Sequence, residues 1–392
     1  SMDGGENSSG GVLVFRGPLA AGALSVSDAD GSLAGELAGD AAGSTLTASA
    51  DLGGDGVDDL LVGAYQNDDG AENSGKVYLV SGIPGSAEPL GDSLASIVGA
   101  LGNGWVGYGV AAPGDLDGDG AADVVVGSTS SSASDAKIAI FSGPFTGDRW
   151  TDEPDFAIRC DACGWNSADG VGAIGDADGD GLADWYATVS GASLTYIWSG
   201  APVSDSFDDA DARWALTGDA ARYGAGFFPP ERQGGDVDAD GRDDFTLRSA
   251  SVDGGTSYYV QSVAWLISGS VVTGVHTVDE ASASFVAEDE RAVAGQPEVC
   301  GDVDGDGRND VVSVGTLGDP WSEYALVVWY GSVTGSHTPD DAPLQISGGA
   351  VGTPFAPDFA ADATGDGLDD LLVTTTNGTS SPSVWLIPGL GF

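Results

Sequence analysis

Six times along the chain, a short run of apolar residues follows directly on an acidic, glycine-containing stretch. The runs are Leu60–Val62, Val124–Val126, Trp185–Ala187, Phe245–Leu247, Val311–Ser313 and Leu371–Val373. A segment of small alternating residues precedes each acidic stretch, as in Tyr108–Gly114. A polar connection follows each run and leads to an aromatic-rich segment that ends near glycine. These segments are Val77–Val80, Ile138–Phe141, Leu194–Trp198, Val263–Ile267, Leu326–Tyr330 and Val384–Ile387. A weaker segment closes the unit, as in Trp214–Thr217 or Leu344–Ser347. Period-two alternation, β-branched residues and frequent turn residues predict strands, and almost no stretch has helical periodicity. Four short antiparallel strands (A, B, C, D) repeated along a chain describe the blades of a propeller. Strand B is apolar on both faces and is expected inside each blade, packed against its neighbours.

The ends set the expected blade count. Residues 5–38 parallel residues 70–101, so the chain opens on strands C and D and closes on A, B and C. The expectation is an all-β propeller of about six four-stranded blades, with the N-terminal D strand completing the last. A seven-bladed parent protein is the alternative. Residues 1–10 are read as a tag remnant and lead-in, and 11–392 as one propeller domain.

The acidic stretch between strands A and B carries the chemistry. Its starts, Asp51, Asp115, Asp176, Asp236, Asp302 and Asp362, lie 60 to 66 residues apart. Loops two to five hold carboxylates at positions 1, 3, 5 and 9. These are Asp115, Asp117, Asp119 and Asp123; Asp176, Asp178, Asp180 and Asp184; Asp236, Asp238, Asp240 and Asp244; and Asp302, Asp304, Asp306 and Asp310. Loop one keeps Asp51, Asp55 and Asp59 with Gly53 at position 3, and loop six keeps Asp362, Thr364, Asp366 and Asp370. Glycine at position 6 supplies the positive φ of a tight turn. Alternating carboxylates then point inward together, and the position-7 carbonyls of Val57, Ala121, Leu182, Arg242, Arg308 and Leu368 complete an all-oxygen shell. Oxygen-only ligands favour Ca²⁺, in up to six sites, four of them with full ligand sets. No glutamate stands at position 12 and no helices flank the loops, so these are not EF-hands. Random acidity would not keep this spacing six times.

The Asp-x-Asp-Gly-Asp-Gly-x-x-Asp loop is preceded by Tyr-Gly (Tyr108-Gly109, Tyr223-Gly224) and followed by Gly63-Ala64-Tyr65 or Gly127-Ser128. This pattern resembles the FG-GAP repeat of integrin α-subunit propellers and bacterial surface proteins. The resemblance implies calcium at the A–B hairpins, a partner on the opposite face, and an aromatic collar that receives a basic side chain. By similarity, Trp105, Tyr108, Trp165 and Tyr223 are the candidates for that collar, and Trp321 in a B–C loop is a further partner-binding candidate. It also implies an extracellular or cell-surface adhesion module that binds a protein or glycan.

Charge narrows the field. Sixty-one acidic residues against 12 basic ones give a formal charge of −49, which disfavours nucleic acid and anionic membranes as partners. No apolar run is long enough to span a bilayer, and a monomer is expected. Cys160 and Cys163 form a possible local disulfide, while Cys300 reads as a small buried hydrophobe. His276 and His337 sit in parallel contexts explained by a repeated C–D loop, and no nucleophile–base constellation emerges. The chain is therefore read as a non-enzyme. A propeller lyase or hydrolase with a site at the central channel, or a passive spacer, is the alternative.

Overall fold

The computed structural model describes residues 9–19, 26–48, 51–82, 84–128, 138–158, 170–189, 194–200, 212, 214–217, 227–228, 234–249, 263–269, 274–286, 297–317, 323–347, 353–360, 362–376 and 383–390. They form an all-β chain with short 3-10 turns. It divides into two compact units, one comprising residues 1–15, 24–175 and 181–215, the other residues 16–23, 176–180 and 216–392.

The expected strand order recurs. In the first repeat, strands A (Thr45–Ala48), B (Leu60–Ala64), C (Lys76–Val80) and D (Ala95–Val98) pair antiparallel in sequence order. Val110–Gly114, Asp123–Gly127, Ile138–Phe141 and Phe156–Ile158 do the same in the second. In the fifth, Glu298–Cys300, Asp310–Leu317, Glu323–Trp329 and Leu344–Ser347 repeat the meander.

Strand B is buried on both faces, as its sequence requires. In the first repeat Leu61 packs with Leu79, Val124 and Phe141, while Val62 and Ala64 pack on the other side with Leu33, Tyr78 and Leu90. Val311 and Val312 divide the same way between two further clusters, one with Phe285 and Trp329, the other with Val328 and Leu371. Side chains on the two faces of one strand thus feed two cores, and this ties each of these two sheets to its neighbours.

The ends differ from expectation. The N-terminal strands Gly11–Val14 and Gly31–Ala34 pair with each other, and Ser32–Ala34 then pairs parallel with Ala87–Pro89. Both edges of the D strand are therefore occupied, and it does not complete the last repeat. Thr353–Ala360, Asp370–Thr376 and Ser383–Ile387 stand as a three-stranded sheet, and the described strands fall into seven sheets rather than six. A further element was not foreseen. The C–D connection contributes a short strand that pairs parallel with the D strand one repeat earlier: Gly147–Trp150 on Ala95–Val98, and Gly335–His337 on Ala283–Phe285. It covers an edge that would otherwise offer unpaired amides to another chain.

Candidate metal centres

Each acidic loop is first a knot of backbone turns. The position-1 carboxylate gathers the amides ahead of it. Asp115 accepts from Gly118 at 2.7 Å, Asp119 at 3.2 Å and Gly120 at 2.8 Å. Asp302 and Asp362 repeat the arrangement. The position-5 carboxylate accepts from the position-7 amide, as Asp119 does from Ala121 at 2.8 Å. Such amide bonds hold the Asp51 carboxyl below its ordinary range, with that from Gly56 the largest cause. The glycine at position 6 has φ between +85° and +94° in all six loops, as the sequence requires. Position 4 is left-handed too, at +74° to +83° for its glycines and +61° for Ala239, which the motif did not foretell.

Position 9 is the buried member. Asp59, Asp123, Asp184, Asp244, Asp310 and Asp370 are all nearly inaccessible to solvent. In loops one, two, four, five and six this carboxylate joins two backbone segments. Asp310 Oδ2 accepts from the Val303 amide at 3.0 Å, and Oδ1 accepts from Gly331, just past strand C, at 2.8 Å. Asp59, Asp123, Asp244 and Asp370 take the equivalent glycines Gly82, Gly143, Gly269 and Gly389. The serine before the glycine reaches the loop as well, Ser142 Oγ donating to Asp117 at 3.0 Å and Ser81 Oγ to Asp55 at 3.0 Å. The repeated Ser-Gly after strand C was the available signal for this.

Four loops bring carboxylates together. Oxygens of Asp115, Asp117 and Asp123 lie within 4.8 Å of one another, as do those of Asp176, Asp178 and Asp184, of Asp236, Asp238 and Asp244, and of Asp302, Asp304 and Asp306. These are the loops with complete ligand sets in the sequence. Among the described residues, loops one and six give no such trio. There the position-3 amide turns inward instead, Gly53 donating to Asp59 at 2.8 Å and Thr364 to Asp370 at 2.7 Å.

The donor set fits a hard cation. Burial pushes the Asp123 and Asp244 carboxyls up to about 6 and that of Asp310 up to about 7, with neighbouring loop carboxylates adding to the shift. Buried like charges in contact are costly unless neutralised. Asp115, Asp117 and Asp123, their counterparts in loops three and four, and Asp302, Asp304 and Asp306 in loop five would hold such an ion. When bound, it supplies positive charge that crosslinks the loop.

The other end of the sheets differs. Strand B begins at the loop and ends at Ala64, just before Tyr65, so the B–C and D–A connections lie at the far end. In the first repeat, Trp105 and Tyr108 are about half exposed (42% and 50%). Tyr65 meets Tyr108 edge-on, ring centroids 5.5 Å apart. Asn73 Nδ2 donates to Asn103 at 3.3 Å, and the Trp105 amide donates to the Asn73 carbonyl. Asn73, Asn103 and Trp105 all have positive φ. Asp68, Asp69 and Glu72 lie in the adjoining B–C connection, where Asp69 pairs with Lys76 at 2.7 Å. Trp165, Tyr223, Trp321, Cys160 and Cys163 lie outside the described residues.

The remaining candidates are accounted for. Cys300 is buried and free, packed with Val312 and Leu371. His276 and His337 each bond a carboxylate four residues on, Glu280 at 2.8 Å and Asp341 at 3.3 Å, within matching turns after the C–D strand. A cavity of about 310 Å³ adjoins Trp329, His337 and Asp341. The second His337 nitrogen faces the Thr334 carbonyl at 3.0 Å, so both ring nitrogens are engaged.

Residues 42–80, which span strands A, B and C of the first repeat and its loop, match the FG-GAP repeat family. No curated protein matches the chain. No helix among the described residues is long and apolar enough to cross a membrane.

Proposed function

We propose that this chain, which carries an FG-GAP repeat, is a calcium-loaded, integrin-α-like β-propeller that works outside the cell as a binding module. Its partner is a protein that presents a basic side chain. The observation that carries this reading is the pair of exposed rings at Trp105 and Tyr108, the latter edge-on to the partly buried Tyr65, beside acidic residues of the B–C connection at the sheet end away from the loops. A cation over an indole or phenol face gains about 0.5–2 kcal/mol, and a surrounding negative potential raises both attraction and encounter rate. The net charge of −49 supplies that potential. Calcium at the acidic loops holds the scaffold that presents the rings, and the module itself performs no catalysis.

A peptide array with basic, neutral and acidic members, and a glycan array beside it, tests this reading. Basic peptides are expected to be retained, with affinity falling as salt rises and dropping at least about tenfold for Trp105→Ala, as for a central aromatic anchor. Retention on glycans alone, or equal retention by Trp105→Ala, would refute the basic-partner reading.

A further inference from the structure

The acidic loops are joined to one another by hydrogen bonds that run from buried carboxylate to buried carboxylate. Between loops four and five, the Val237 amide donates to Asp244 at 2.9 Å and the Val237 carbonyl accepts from Ser332 at 2.7 Å. The neighbouring Gly331 amide donates to Asp310 at 2.8 Å. Between loops five and six the same path runs through Val303, Leu390 and Gly389 to Asp370. Between loops one and two it runs through Leu52, Phe145 and Gly143 to Asp123. The segment after the first strand uses the same bond on loop six, the Leu19 amide donating to Ala363 at 2.9 Å.

A second arm varies from junction to junction, and it is set by position 8, which is not a candidate ligand. The Asp369 carboxylate accepts from the Asp302 amide at 3.0 Å, and the Asp369 amide donates back to the Asp302 carbonyl at 3.2 Å. Asp243 and Asp176 make the same two bonds, at 2.8 and 3.2 Å. At the junction of loops four and five, Asn309 keeps only the backbone bond to Asp236 and turns its amide to the Cys300 carbonyl. Loops two and three have Ala122 and Ala183 at position 8. Position 1 begins each candidate ligand set, so fixing its peptide from the next loop links the order of one site to that of its neighbour.

We infer that neighbouring acidic loops fill with cation as coupled sites rather than as independent ones, and that Asp243 makes the coupling strongest between loops three and four. The inference rests on the reading of the loops as cation sites. Ordering a loop on its cation fixes the peptide that the adjacent loop shares, so the second ion meets a site already partly ordered. Coupling of this kind is mutual and runs between nearest neighbours in a repeat array.

The test is a calcium titration followed by hydrogen exchange at the Asp240 and Gly241 amides, which close loop four on Asp236. Loop three is disabled by Asp178→Ala, which leaves Asp176 and Asp243 in place. With Asp243 present, this change is expected to raise the calcium concentration for half-protection of loop four by at least about fivefold. In the Asp243→Ala background the rise should fall below about twofold, and Asp243→Asn, which keeps an acceptor, should restore part of it. Protection of the Val312 and Val327 amides in the core strands reports that each variant is folded. Equal rises in both backgrounds, or none in either, would overturn the coupling while leaving the cation sites standing. If calcium changes protection in no loop, both the sites and their coupling fall.

Discussion

The two ends of the first-repeat sheet follow opposite rules. At the acidic loops, backbone and side chains repeat together, with the same glycines, the same buried aspartate and the same amide bonds. At the D–A junctions only the backbone repeats. The turn around Ala41 and the turn around Trp105 share a left-handed residue (φ +56° and +50°) and the same amide-to-carbonyl closure, Ser44 to Ala41 and Tyr108 to Trp105. Alanine and serine in one become exposed tryptophan and tyrosine in the other. The left-handed conformation therefore belongs to the repeat, and a bulky ring placed on it is the departure. Side chains that repeat hold the repeats together, whereas side chains that depart are free to recognise something.

Removing calcium is the broadest way to break this comparison, because it should affect the scaffold and not one junction. At ten times its dissociation constant an ion adds about 1.4 kcal/mol per site. Four complete loops then contribute about 6 kcal/mol, comparable with the whole stability of many domains. Melting in excess chelator is expected at least about 10 °C below melting in millimolar calcium. Coincident melting curves would remove the loops as fasteners.

A narrower break separates positions within one loop. Asp310→Ala leaves the Val303 and Gly331 amides without their acceptor in a buried place. It should cost about 2–4 kcal/mol in denaturant unfolding, with or without calcium, since stranded buried donors carry their desolvation penalty. Asp306 is exposed, accepting from the Arg308 amide and facing its guanidinium at 3.9 Å, so Asp306→Ala should matter mainly when calcium is present. Equal costs in chelator would contradict the division between buried node and outer ligand.

The acidic loops also fix a pH response in the metal-free protein. Asp123, Asp244 and Asp310 have folded values of about 6 to 7, raised chiefly by burial above the ordinary 3.8. A carboxyl raised on folding binds its proton more tightly in the folded state. Its stabilising contribution is therefore present below about pH 4 and is lost as pH rises through about 6 to 7. In chelator, stability from these groups should decline between pH 4 and 7. Saturating calcium, which favours the ionised forms, should abolish or reverse that slope. A calcium-independent pH profile would contradict the assignment of these three residues to cation sites.

Much of this was legible in the sequence because the period is two and the loops are stereotyped. The continuous apolar runs at Leu60–Val62 and Val311–Ser313 identified a strand buried on both faces, and the contacts of Leu61, Val62, Val311 and Val312 bear it out. The spacing of Asp115, Asp117 and Asp123 pointed to carboxylates that converge, and they do. What escaped depends on contacts between repeats, which local patterning does not encode. The parallel edge strand Gly147–Trp150 carries no apolar signature of its own, since its register comes from Ala95–Val98. The pattern of the N-terminal D strand suits any open edge, and its antiparallel pairing with Gly11–Val14 decides the matter. Position 8, which varies among Asp, Asn and Ala, carries no signal of its own in the sequence. Only the amides of Asp176 and Asp302 reveal its partner.

The smallest expected effect sharpens the comparison most directly, because it changes backbone preference and little else. Position 4 is left-handed in every loop, and loop four alone places a residue other than glycine there, Ala239 at φ +61°. The conformation costs an L-residue about 1–2 kcal/mol. Glycine relieves that strain but returns about 0.5–1 kcal/mol as extra freedom of the unfolded chain. Ala239→Gly should therefore stabilise the protein by about 0.5–1 kcal/mol in denaturant unfolding, in calcium and in chelator alike. If it destabilises instead, the left-handed turn is not imposed by the repeat at this position. The rule that backbone repeats even where side chains depart would then fail where it is easiest to measure.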